Sequence, residues 1–395
     1  MKRKALFHGM LVLLCTGACK EKYMPKTNYP FTGYLVVEGV IEPGGGTTRF
    51  RLSRTTALDS TYYRNETGAT VSVESENNES YPLNESAPGQ YQAAGLPVQQ
   101  SLRYRLHIMT TDAREYLSQL TPVYFTPPID SVSWSEKNSG VQIYVSTHGP
   151  SADTGYYKWR FDETWRYTAK YFSAYIWDPA SPYSFHDFRN RNDNELVNTC
   201  YKSDTSSEIL IGSTAKLAAN VLNEQPVTFI PYSEVPNKLY NRYTIQVYME
   251  SISSDEFAWY DKLRKNTESL GSIFDAQPSE LTGNIESITD PAETVIGWVG
   301  SHTVTQRRIF IGRGDLPSNP PLSKGYDNCM LDTLLFGRDD KLIEGAYSSG
   351  TYNLPTSFDS PPGSPSPVGI IGSTIDCTDC RTMGGVLTEP DFWQE

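Results

Sequence analysis

The chain has 395 residues, 46 of them acidic and 34 basic, for a formal net charge of −12. That balance argues against a nucleic-acid partner, which wants a basic footprint, while the length leaves room for two to three domains of ordinary size. With 26 Tyr, 29 Gly, 26 Pro and 12% aromatic residues, the composition predicts short strands and turns rather than a helical bundle.

Residues 1–18 have the order of a secretory signal peptide. Lys2, Arg3 and Lys4 give a basic start, Ala5 to Leu14 a short apolar run, and Thr16-Gly17-Ala18 a small-residue stretch ahead of Cys19. The run is shorter than the ~20 residues that a permanent bilayer span needs. A cysteine directly after small residues is the pattern of lipoprotein cleavage, so Cys19 is read as the lipidated first residue of the mature protein. Cys15 fits less well, because bulky Leu14 precedes it. Buried acyl chains contribute about 0.8 kcal/mol per CH₂, so several on one cysteine hold a soluble body at a membrane. Residues 19–30 are polar, carry Pro25 and Pro30, and are expected to be a tether.

Residues 31–125 read as a first β-sandwich of immunoglobulin-like or transthyretin-like type. Tyr34 to Ile41 is β-rich and stops at the turn Pro43-Gly44-Gly45-Gly46. Arg49 to Ser53, Ala69 to Glu74, Gly89 to Tyr91, Ser101 to Met109 and Tyr116 to Leu120 add strands. In the longest of these, Leu102, Tyr104, Leu106 and Ile108 share one face. His107 falls on the opposite face and is expected to be a lone solvated side chain.

Thr126-Pro127-Pro128 is a stiff junction, and residues 126–315 read as a second, fibronectin type III-like sandwich with insertions and one short helix. Tyr156 to Tyr167 carries the longest period-2 run, with Tyr157, Trp159, Phe161, Trp165 and Tyr167 on one face. Glu163 interrupts that apolar face. A buried carboxylate is costly unless paired, so a salt bridge to an Arg inside the fold is expected, with a ligand contact as the other reading. Residues 168–200 lose the rhythm and hold Tyr171, Phe172, Tyr175, Trp177, Tyr183, Phe185 and Phe188. They are expected to form an irregular hairpin whose aromatics either cap the core or offer a binding surface. Asp187 to Glu195 is rich in Asp and Asn but lacks the spacing of an EF-hand calcium loop. Strands follow at Ile209–Ile211, Val227–Ile230 and Tyr243–Met249. A helix is expected over 254–270, opened by a capping box of Ser253 and Glu256 and stopped at Gly271. Ile296–Val299 and Arg308–Ile311 are the last clear strands. Arg313-Gly314-Asp315 matches an integrin-binding tripeptide, which is common by chance. Residues 316–395 are Pro-rich and are expected to be loop-like and held by a disulfide.

Cys200, Cys329, Cys377 and Cys380 remain after the signal, and four cysteines allow three pairings. One structural bridge from Cys329 into the Cys377/Cys380 pair is the preferred reading. A redox or zinc role for Cys377-Thr-Asp-Cys380 has no surrounding βαβ pattern and no second CxxC, so no metal or cofactor is expected. Nucleophile-elbow, zinc-protease, phosphate-loop and dinucleotide motifs do not occur, and the chain is read as a binding protein rather than an enzyme.

The stretch Asn266 to Asn284 resembles the signature of a Bacteroidota lipoprotein family catalogued as domain of unknown function 4249. Leu35-Val-Val-Glu-Gly39, Leu52-Ser-Arg-Thr55, Pro128-Ile-Asp-Ser131, Glu163-Thr-Trp165, Arg308-Ile-Phe310, Cys377-Thr-Asp-Cys380-Arg381, Gly384-Gly385 and Pro390-Asp-Phe-Trp393 add to the resemblance. Such proteins are typically encoded beside TonB-dependent outer-membrane receptors. The resemblance implies an outer-membrane lipoprotein facing the cell exterior, with Lys20 and Glu21 after the lipid cysteine as its surface-export signal. It also implies a TonB-dependent receptor as partner, and no catalytic residues. The expected ligand or partner contacts are Tyr171, Phe172, Tyr175, Trp177 and Glu163. An extracellular glycan or peptide hydrolase and a structural or adhesive surface module are the rival readings.

Overall fold

The computed structural model describes residues 33–56, 64–150, 155–268, 281–350 and 353–394. Cys19, Lys20 and Glu21 lie outside them, as does Gly271. The fold is mainly β, built as two sandwich-like bodies with a small third sheet and little helix. Among the described residues no helix is long and apolar enough to cross a membrane.

The first body has two leaves. One holds Leu35–Ile41, Thr47–Arg54 and Gln90–Ala94; the other holds Thr70–Ser75, Arg103–Met109 and Glu115–Ser118. Ser80–Ala87 joins them: its first half pairs with Thr70–Ser75, its second half with Gln90–Ala94. The alternation seen in the sequence puts Val37, Phe50, Leu52, Val71, Val73, Leu106 and Ile108 in one core. His107 is not solvated alone. Its ring lies 2.7 Å from Glu74 and 3.0 Å from Glu115, because the register puts these carboxylates diagonally beside it on the two neighbouring strands.

Residues 285–301 do not stay with the second sandwich. Ile285–Ser287 runs antiparallel to Glu115–Ser118, and Ile296–Gly297 and Gly300–Ser301 run parallel to Leu35–Ile41. This excursion covers both edges of the first body and adds Ile285, Val295 and Val299 to its core. Alternation reveals that such a segment is a strand but not which sheet it joins.

The second body packs a three-stranded sheet against a larger one. The first is Ile129–Lys137, Gly140–His148 and Val221–Pro231. The second centres on Tyr156–Thr168, flanked by Thr199–Thr205, Leu210–Ser213 and Arg242–Ser251, with Val304–Gly312 beyond. Tyr157, Trp159, Phe161, Trp165 and Tyr167 are all buried in the core between the sheets. The helix Ser254–Glu268 lies alongside, with Phe257 on Tyr156 at 5.2 Å. Half of its capping box forms: the Glu256 N–H donates to Ser253 Oγ at 3.0 Å. The Glu256 carboxylate instead turns toward buried His302, 3.5 Å away. Arg313-Gly314-Asp315 is a short turn in which Asp315 accepts from the Gly312 N–H at 2.7 Å.

The tail is more ordered than a loop. Asp332–Leu335, Asn353–Asp359 and Gly369–Thr374 form a sheet, and Asp340–Tyr347 is a helix. These runs show no apolar alternation, and their apolar residues gain burial against one another and against Tyr175, Trp177 and Phe188 of the insertion. Two disulfides tie the region down. Cys329 pairs with Cys377, within the expected bridge, and Cys380 pairs back to Cys200 across 180 positions.

Candidate functional site

The insertion 168–200 forms the expected hairpin, with Tyr175–Trp177 antiparallel to Phe188–Asn190. Its aromatics meet the tail. Tyr175 sits on Phe358 at 4.6 Å, Trp177 stands edge-on to Phe188 at 5.2 Å, and Phe188 stands edge-on to Tyr347 at 5.4 Å. Tyr171 bonds to both halves of one disulfide: its hydroxyl donates to Cys329 O and its N–H to Cys377 O, each at 3.0 Å. Phe188 is buried, whereas Phe172 and Tyr183 are exposed, at 50% and 87%. One side of the insertion forms a small core with the tail, and Phe172 and Tyr183 face outward.

Between hairpin and tail lies a recess of about 220 Å³, lined among others by Trp177, Arg191, Tyr347, Leu354, Asp379 and Arg381. Each wall is fixed by a different constraint. Trp177 is set by the hairpin and by Phe188. Tyr347 ends the helix Asp340–Tyr347 and is buried. Asp379 and Arg381 flank Cys380, which the disulfide anchors to the second body through Cys200. Ser173, buried beneath, donates through its hydroxyl to Pro355 O at 2.8 Å and so joins the hairpin to the tail sheet.

The charges around the recess are unevenly satisfied. Arg189 spans Asp178 at 2.7 Å and Glu195 at 2.8 Å. That bridge, with the Asn192 N–H, holds the Glu195 carboxyl down at about 2. Arg381 donates to both oxygens of Asp379, at 3.0 and 2.6 Å, and its backbone N–H adds a bond at 2.9 Å. Arg191 differs: Nε donates to Ser173 Oγ at 3.1 Å and Nη1 to Glu195 O at 3.0 Å. Among the described residues it forms no ion pair with a carboxylate. Burial pulls its guanidinium below the ordinary value.

Of the residues expected at the site, Trp177 lines the recess. Tyr171 and Tyr175 support it through the contacts above, and Phe172 stands exposed outside it. Glu163 is not there. It lies in the core of the second body, where Lys238 Nζ reaches it at 2.6 Å and the Tyr243 hydroxyl donates to it at 2.8 Å. Its partner is thus a lysine, not the expected arginine. Arg191, Asp379, Arg381 and Tyr347 were not singled out by the sequence. Arg189 and Arg191 alternate within the Asp/Asn-rich stretch, a weak signal for one polar strand face, but the fold brings Arg381 near them through the Cys200–Cys380 disulfide and backbone bonds such as Cys380 N–H to Val197 O, which spacing does not show. No cluster of three or more His, Cys, Asp or Glu able to hold a metal ion occurs among the described residues.

A family model described as "Domain of unknown function (DUF4249)" matches residues 20–308. No curated protein matches the chain. Among solved structures, chitinase ChiA74 from Bacillus thuringiensis is similar at 10% identity and a TM-score of 0.15, over 47% of this chain and 30% of that one. A likeness so low carries no argument about fold or activity.

Proposed function

The chain belongs to the DUF4249 family, and from that premise we propose that it is a lipid-anchored, surface-exposed outer-membrane protein that associates with a TonB-dependent transporter and assists nutrient capture by binding, not catalysis. The observation that carries the binding role is the recess between hairpin and tail. Solute sites are concave, largely preformed, and lined by apolar walls with a few fixed polar groups. Trp177, Tyr347 and Leu354 supply walls here, and Arg191 and Arg381 supply fixed charge. The carboxylate lining the recess, Asp379, is held through both oxygens by Arg381, which leaves it poorly placed to take a proton from a substrate. The anchor rests on the order of basic start, short apolar run and small residues before Cys19.

Affinity purification of the native protein from solubilised membranes tests the role. It should recover a TonB-dependent barrel together with an acylated amino-terminal Cys19. Repeated recovery of intact protein with an unacylated start and no barrel would overturn the reading.

A further inference from the structure

Arg191 is a half-buried cation with no direct ion pair among the described residues; the carboxylates that act on it, Glu195 and Asp379, are each already bridged by another arginine. Its two bonds, to Ser173 Oγ and to Glu195 O, use two of the five N–H donors that a guanidinium carries. The neighbouring Arg189 and Arg381 are each gripped by carboxylates. Two guanidiniums and one carboxylate line the recess, a surplus of one positive charge. Taking a charge out of water without pairing it is costly, and a ligand of opposite charge removes that cost.

We propose that the recess binds the carboxylate of a small, partly apolar ligand, with Arg191 as its anchor and Trp177 as the wall against which the ligand body packs. The planar guanidinium fork matches a carboxylate through two parallel N–H···O bonds. A single surplus charge suits a monoanion, and the Asp379 carboxylate in the same lining repels the second charge of a phosphate. The volume, about 220 Å³, lies below the ~300–1,000 Å³ of drug-sized pockets. One sugar acid or the carboxyl end of a dipeptide is therefore the size that fits. The inference rests on the proposed role only in taking the recess as the solute site.

Calorimetric titration of the full chain tests it with two matched pairs of probes: sodium glucuronate against glucose, and acetyl-Ala-Ala against its amide. One acid should bind at least tenfold more tightly than its neutral counterpart, and which acid does so separates a sugar ligand from a peptide one. Arg191→Met should weaken that acid at least tenfold, and Arg191→Lys should recover only part. Equal binding of acid and neutral probes, no binding of either acid, tighter binding of inorganic phosphate, or an acid affinity unchanged in folded Arg191→Met would each overturn the proposal. The acid-against-neutral comparison uses the native chain, so a variant that misfolds does not blunt it. The membrane pull-down reads the transporter role separately. A barrel recovered without acid binding defeats the carboxylate inference alone, and acid binding without a barrel defeats the transporter role alone.

Discussion

Glu163 shows what one residue out of pattern can and cannot reveal. It is legible as an anomaly because it breaks an aromatic face whose other members are all buried. Its partners are not legible, since Lys238 lies 75 positions away in a loop without periodicity. Removing one member of a buried ion pair leaves the other charge unpaired and costs about 3–5 kcal/mol. Lys238→Met should therefore lower the denaturant midpoint strongly, and adding Glu163→Gln should restore part of the loss. A double-variant loss equal to the sum of the two single-variant losses would show that the pair is not coupled. Gly283 makes a second case, in the stretch that carries the family signature. A Cβ there would lie 1.5 Å from Gly297 O, and next to it the Asn284 side chain both donates to Val299 O and accepts from Val299 N, at 2.9 and 2.8 Å. This end of the signature serves packing. Gly283→Ala should cost about 1–3 kcal/mol through overpacking, read as a fall in melting temperature, and an unchanged melt would contradict the close approach.

At the scale of elements, one helix and two strands meet in a buried polar cluster. Tyr156–Thr168 supplies Lys158, Arg242–Ser251 supplies Glu250, and the helix Ser254–Glu268 supplies Glu256 and Tyr260. Lys158 lies 2.7 Å from Glu250 and donates to the Tyr260 hydroxyl at 3.1 Å. Fully buried His302 faces Glu256, Arg160 also acts on Glu250, and burial and then Glu250 raise the neighbouring Glu42 carboxyl in turn. Burial pushes the Glu250 carboxyl up, but Lys158 and then His302 outweigh it and hold it at about 2, below its ordinary 4.5. A carboxyl depressed in the folded state contributes stability that is fully present above its ordinary value and is lost as pH falls through the folded one. The melting temperature should therefore fall as pH drops from 4.5 toward about 2. Glu250→Gln should flatten that part of the profile while lowering stability at neutral pH. A variant with the native acid slope would place the titrating group elsewhere. Both strands were readable as period-2 runs and the helix from Ser253 at its start. Their meeting was not, because the polar residues concerned sit on the face that alternation assigns to solvent. The strands Asp332–Leu335, Asn353–Asp359 and Gly369–Thr374 escaped for a different reason: none shows apolar alternation, and the hairpin they pack against lies far earlier in the chain.

At the scale of the whole molecule, the class of fold was legible and its connectivity was not. Residues 126–315 look like one continuous sandwich, yet 285–301 leave it to complete the first body. The consequence is energetic as well as topological. Leu35–Ile41 and Glu115–Ser118 would be open edges without Ile296–Gly297, Gly300–Ser301 and Ile285–Ser287, and open edges template association with other chains. The core would also lose Ile285, Val295 and Val299, all buried. Fully burying one such side chain stabilises by about 1.5–3 kcal/mol, so three rival a large share of the ~5–15 kcal/mol that holds a native domain. The first body therefore depends on chain inserted between strands of the second, Arg242–Ser251 and Val304–Gly312, and the two should unfold together. A fragment of residues 33–125 expressed alone should be poorly soluble and melt without cooperativity. The same fragment joined by a flexible linker to residues 281–303 should be monomeric and melt in one transition. A cooperative melt from 33–125 alone would mean that the returning strands decorate a self-sufficient sandwich, and the two bodies would then be free to unfold separately.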